Sequence, residues 1–245
     1  MTTVIRQLGL YLGWQFRRAS QVVPLLIVVQ IVLAVATVVG YGYLIGDAPR
    51  PVLLYLATGA STVSLVSVGL IMTPQMVARQ RSEGSFDWVR TLPLPRGVLV
   101  AADLILWTAL ALPGMVLGLV TGTVRFQVDL ALTPWLPLVA LAVAATAACV
   151  GYALACLLHP MAAVLISQVL IFVVLLFSPV SYPVERLPDW LQTIHHWLPL
   201  EAMADLMRAC LLRHDFPVLG RDVAVLAIWC LAALAGATWA LRRRG

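Results

Sequence analysis

Residues 135–180 read WLPLVALAVAATAACVGYALACLLHPMAAVLISQVLIFVVLLFSPV. The run contains no Asp, Glu, Lys or Arg, and its one interruption is Leu158-His159-Pro160-Met161. A helix crosses a hydrocarbon layer of about 30 Å at about 1.5 Å per residue, so about 20 apolar residues make one crossing. Trp135 to Leu157 and Ala162 to Val180 each meet that length. The short turn between them forces a tight helical hairpin, and the stretch is two membrane spans.

Four further stretches qualify on either side: Val23 to Ile45, Val52 to Met76, Val98 to Gly122 and Val223 to Leu241. The expected fold is an all-α integral membrane protein with six transmembrane helices in a single domain over residues 1–245. Spans one to five fall within 23–180 and span six within 223–241. Composition agrees: 62% of the residues are hydrophobic, 11% are charged, and the mean hydropathy is +0.96. A soluble domain carries about 25% charged residues to hydrate its surface, so a water-soluble enzyme or nucleic-acid-binding domain is excluded. The net charge of +5 belongs to membrane topology.

With the N-terminus inside, the cytoplasmic segments hold Arg6, Arg17, Arg18, Arg79, Arg81, Arg90, Arg96, Arg242, Arg243 and Arg244 against the acids Glu83 and Asp87. The external segments hold Arg50, Arg125, Arg186, Arg208, Arg213 and Arg221, most of them in one long loop among acids. The bias of short loops toward internal arginine therefore places both termini in the cytoplasm of a bacterial inner membrane. No cleavable signal pattern precedes the first apolar run. Cys149, Cys156, Cys210 and Cys230 are scattered, without the pairing of a metal or disulfide framework.

Three segments outside the spans carry chemistry. Residues 4–18 place Ile5, Leu8, Leu12 and Phe16 at helical spacing, the pattern of an amphipathic helix lying in the headgroup layer. Within 77–97, Ser85 caps a short helix, Asp87 sits in its first turn and Pro93 stops it. Phe86, Val89 and Arg90 share one face of that helix with Trp88 beside it. Two turns cannot hold themselves below a membrane, so this surface calls for a partner. In 181–221, Pro188-Asp189 opens a helix whose Trp190, Leu191, Ile194, Trp197 and Leu198 form one apolar stripe, and a second run from Glu201 aligns Met203, Leu206, Met207 and Cys210. Too short to span, these runs are expected to dip into the outer leaflet as re-entrant helices, buried by the Trp190, Ile194 and Trp197 face.

Within the spans, Gln30 and Gln168 either line a translocation path or make interhelical hydrogen bonds. Asp103 is expected to pair with Arg96. Gly114, Gly118 and Gly122 put three bare positions on one helix face for close packing, and Pro74 and Pro113 are expected to bend their helices. There is no Gly-x-x-x-x-Gly-Lys-Ser/Thr phosphate loop, no Gly-x-Ser-x-Gly turn and no His-Glu-x-x-His helix. No catalytic or metal-binding set is expected, and His195 with His196 point in different directions.

The layout resembles the ABC-2 family of ABC-transporter permease subunits over nearly the whole chain. The local matches are Arg81-Ser82-Glu83-Gly84-Ser85-Phe86-Asp87-Trp88 with Leu92-Pro93-Leu94-Pro95-Arg96, and Ser178-Pro179-Val180 with Leu187-Pro188-Asp189-Trp190-Leu191 and Leu198-Pro199-Leu200. The resemblance implies that Glu83 to Trp88, with Arg90, couple to a separate ATPase present in two copies. ATP and Mg would bind that subunit, and this chain would bind no cofactor. It also implies a second permease subunit, identical or homologous, and export as the function. Few charges within the spans favour an amphiphilic or hydrophobic cargo such as a drug, antibiotic or lipid. The rival readings are a haem-exporter-type permease of cytochrome maturation and an intramembrane enzyme.

Overall fold

A computed structural model describes the chain except for residues 1, 22, 46–48, 86–88, 90, 92–93, 129, 185–186, 214–215 and 244–245. Helix α1 spans Thr2–Ala19 and α2 spans Val23–Ile45. Next, α3 (Arg50–Ser67), a π-helical turn (Val68–Met72) and α4 (Thr73–Ser82) follow without a break. Then come α5 (Arg96–Phe126), α6 (Leu136–Leu157) and α7 (Pro160–Phe177). The chain closes with α8 (Asp189–His195), α9 (Pro199–Leu211) and α10 (Gly220–Arg243). Six of these segments are long and apolar enough to cross a membrane, the number expected from the sequence.

The centre is the α3–α4 run. Of its spanning window 94% is buried inside the chain, against 22% for α2, 18% for α7 and 28% for α10. That contrast defines the architecture: α5, α6 and α9 wrap α3–α4, while α2, α7 and α10 turn apolar faces outward. Leu25, Val28 and Val32 on α2, and Leu165, Val169 and Phe172 on α7, are exposed. Faces of this kind are disfavoured in water and suit lipid.

Close packing follows from small residues. A Cβ at Gly118 would come within 2.8 Å of the Ala60 carbonyl oxygen, and one at Gly122 within 2.5 Å of the Ala57 carbonyl oxygen, so the glycine stripe of α5 is where α3 lies against it. The π turn packs its Gly69 against Gly151 of α6 just as closely. That turn ends two residues before Pro74, whose ring nitrogen offers no donor to the preceding turn. Thr73 donates both its backbone N–H and, at 3.0 Å, its Oγ1 to the Val68 carbonyl. Pro74 thus acts by widening a turn, whereas Pro113 sits inside the continuous α5. Thr58, Ser61 and Ser64 are buried in α3 and donate to their own helix carbonyls at 2.8, 2.6 and 3.0 Å, which keeps hydroxyls tolerable in an apolar core.

Several boundaries differ from the sequence expectation. The fifth span ends at Phe177, and Ser178-Pro179-Val180 leaves the helix with all three residues buried. The amphipathic stripe of α1 divides: Leu8, Tyr11 and Leu12 pack on Leu99 and Ala102 of α5, while Ile5 and Phe16 are exposed. Asp103 takes its hydrogen bonds from the Gln15 amide of α1 and the Tyr152 hydroxyl of α6. The bundle therefore has an arginine-rich end, with α1, the 158–159 turn and the last turns of α10, and a far end with residues 130–134, 178–184, α8, α9 and 216–219.

Candidate functional site

At the arginine-rich end, α4 buries Thr73, Pro74, Val77 and Ala78, and its last turns, with Arg79, Ser82 and Glu83 exposed, form an arm. The helix ends at Ser82, and Gly84, two residues on, has a φ of 74°, the left-handed conformation that terminates helices. Arg79 Nε donates to Glu83 Oε1 at 2.7 Å on the exposed side, and Ser85 Oγ donates to the Gln80 carbonyl at 3.2 Å. Arg81 turns the other way. Its Nη1 donates to the carbonyls of Ala155 and, at 2.7 Å, Leu158, two groups that the end of α6 would otherwise leave open. The arm is thereby tied to the α6–α7 hairpin. Glu83, Gly84 and Ser85 lie on this arm, while Phe86, Asp87, Trp88 and Arg90 lie outside the described residues.

The far end is built on α9. Glu201, Asp205 and Arg208 recur at i, i+4 and i+7, one charged stripe on a helix otherwise packed on every side. Arg208 is 1% exposed. Its Nη1 donates to Asp205 Oδ1 at 2.5 Å, its Nη2 donates to the carbonyls of Pro179 at 2.8 Å and Val180, and its guanidinium stands 4.2 Å from the Tyr55 ring centroid. The chain leaves helix α7 at Ser178 to offer those carbonyls. Burial pulls the Arg208 value down while Asp205 opposes the drop, and burial raises Asp205 against the pull of Arg208.

Glu201 joins two further elements. Its Oε1 accepts from Arg221 Nη2 of α10 at 2.9 Å and lies 2.8 Å from His196 Nδ1, while Arg221 also reaches Asp222 at 3.1 Å. His195 is buried, donates to the Phe177 carbonyl and keeps Nδ1 without a partner. Desolvation lowers its value, and Glu201 and the Phe177 carbonyl oppose that shift. A cavity of about 270 Å³ lies among Tyr55, Glu201, Arg208, Phe216 and Arg221.

One bound of the expected re-entrant helix differs. Helix α8 ends at His195 rather than Leu198, and its buried side is that of His195, while Trp190, Ile194 and Trp197 are 65%, 48% and 74% exposed. The indole Nε1 of Trp229 on α10 donates to the Trp197 carbonyl at 2.8 Å and holds the segment down through its backbone. Within the core, Gln30 donates through Nε2 to the Leu110 carbonyl at 2.9 Å, in the space left by Gly114. Gln168 lies on the outward face of α7, so the chain does not bring the two glutamines together. Sequence reasoning missed Arg81 and Arg208 as structural keys, although the Glu201, Asp205 and Arg208 spacing was a readable signal for the second.

Comparison with known proteins adds the family. Residues 6–212 match the family described as ABC-2 type transporter. The chain is 29% identical over 200 residues to Nodulation protein J of Rhizobium leguminosarum bv. trifolii, covering 76% of each chain. It is 28% identical over 217 residues to Nodulation protein J of Rhizobium leguminosarum bv. viciae, covering 82% of this chain and 83% of that one. A match that runs from α1 through five of the six candidate spans to the end of α9 leaves one conclusion: the chain belongs to the ABC-2 type transporter family.

Proposed function

We propose that this chain is one of two permease subunits, identical or homologous, of an ATP-driven exporter in a bacterial inner membrane. Two copies of a separate ATPase supply the energy, with ATP and Mg bound there. The observation that carries the reading is the arm at the end of the central helix, clamped by Arg81 to the α6–α7 hairpin. A push on Glu83 to Arg90 reaches the core helix and the hairpin together, which suits a ligand-biased rigid-body transition. Both termini lie on the arm's side, the cytoplasm, in keeping with the arginine bias. The outward position of Gln168 suits a face shared with the second permease subunit, and Gln30 acts as an interhelical bond.

The cargo is amphiphilic or hydrophobic, since the spans place little charge where it could meet a strongly anionic solute. The test is co-purification with the ATPase together with cargo-stimulated hydrolysis. Phe86→Ala, Trp88→Ala and Glu83→Arg are expected to weaken association or uncouple hydrolysis from export with insertion intact, because aromatic and arginine groups carry much interface energy. Undiminished association and stimulation in all three variants would place the coupling elsewhere.

A further inference from the structure

A second cavity, of about 260 Å³, opens at the arginine-rich end between α1, the end of α4 and the start of α5. It is graded from mouth to floor. Arg18 and Arg79 stand exposed at the mouth, Arg18 with its guanidinium 5.6 Å from the Trp14 ring centroid and Arg79 paired with Glu83 at 2.7 Å. Trp14 and Trp107 form walls. The floor is Gln15 and Asp103, each more than nine-tenths buried, with the Gln15 amide donating to Asp103. Gln15 Oε1 is left there with no donor. Leu26, Leu106 and Leu110 continue the lining as an apolar side.

Each layer selects a different chemistry. The floor presents a carboxylate and an orphan amide oxygen as acceptors, beside aromatic faces. Such a setting attracts a cation that carries N–H donors, and a donor would relieve an acceptor that is costly to leave unpaired. The mouth offers guanidinium groups, which favour phosphate. The four ionic groups balance as two arginines and two carboxylates, with the positive pole outermost, so the complement is a zwitterion whose ammonium leads and whose phosphate trails. The apolar side gives acyl chains a path. We propose that this cavity binds the phosphoethanolamine headgroup of a membrane lipid. The assignment needs only that this end meets a membrane surface, and it stands apart from the cargo reading.

The test is lipid retention by the purified full chain, measured by native mass spectrometry against phosphatidylethanolamine, phosphatidylcholine and phosphatidylglycerol of identical acyl chains. The ethanolamine lipid is expected to bind about tenfold tighter than the other two, which lack the N–H cation. Arg18→Ala and Gln15→Leu should each remove most of that preference, with helicity by circular dichroism unchanged. Free phosphoethanolamine competing with the lipid would support the site as a headgroup pocket, and lipid binding without such competition would support it with the acyl side contributing. Equal retention of the three lipids by the unaltered chain would overturn the proposal, as would a folded Gln15→Leu variant that keeps the full preference.

Discussion

The guanidinium of Arg208 lies 4.2 Å from the ring centroid of Tyr55, stacking a fully buried cation from α9 on the central helix. The same side chain serves two carbonyls at the break after α7 and one carboxylate on its own helix. One residue therefore ties α3, α7 and α9 at the far end.

Arg208→Ala should cost about 3–5 kcal/mol, the range for removing one member of a buried ion pair, because Asp205 and the Pro179 and Val180 carbonyls all lose their donor. Thermal unfolding of the detergent-purified chain measures it. Arg208→Lys should recover only part of the loss, since an ammonium cannot reproduce the fork geometry.

His195 gives the far end a pH dependence. Its value in the folded chain lies below the ordinary one near 6.5 because burial disfavours the imidazolium. The folded state then binds fewer protons than the unfolded one in the window below that value. The contribution to stability is complete above about pH 6.5 and is lost as the pH falls through the lowered value. Melting temperatures taken from pH 7.5 to pH 5 should decline more steeply for the unaltered chain than for His195→Gln.

Gly122→Leu should destabilise by about 1–3 kcal/mol or more, since even the first added carbon meets the Ala57 carbonyl and α3 and α5 must separate. The reading is the yield of monodisperse protein and its unfolding temperature. Gly9, with open space around its position, is the control and should accept Ala without loss.

Single cysteines at Ser82 and Gln192 in a background lacking Cys149, Cys156, Cys210 and Cys230 should label differently with an impermeant thiol reagent on whole cells. Gln192 is expected to react from outside and Ser82 only after permeabilisation. Equal labelling of both in intact cells would refute the arginine-based orientation.

The spans were legible because length and unbroken apolarity are one-dimensional quantities, and the Gly114, Gly118 and Gly122 stripe was legible because helical periodicity is too. What sequence could not supply was pairing across the bundle. Asp103 finds Gln15 and Tyr152 from two other helices, partners that lie far along the chain. The Trp190, Ile194 and Trp197 stripe was a real periodicity, yet an apolar face can turn to lipid as readily as to protein, and here it turns away from the chain. The end of the fifth span was misjudged by apolarity alone, because Val180 is as hydrophobic as the helix but its carbonyl is needed by Arg208.

The π turn at Val68–Met72 amounts to one extra residue spliced into a helix that otherwise repeats every 3.6. Each residue advances a helix by about 100°, so this splice sets the phase between the half that faces the glycines of α5 and the half that bears the arm. Deleting a single residue between Val68 and Met72 would keep the helix continuous and swing Arg81 about a quarter-turn off the Leu158 carbonyl. The aim of the arm is thus a matter of count, written in the length of one turn in mid-helix.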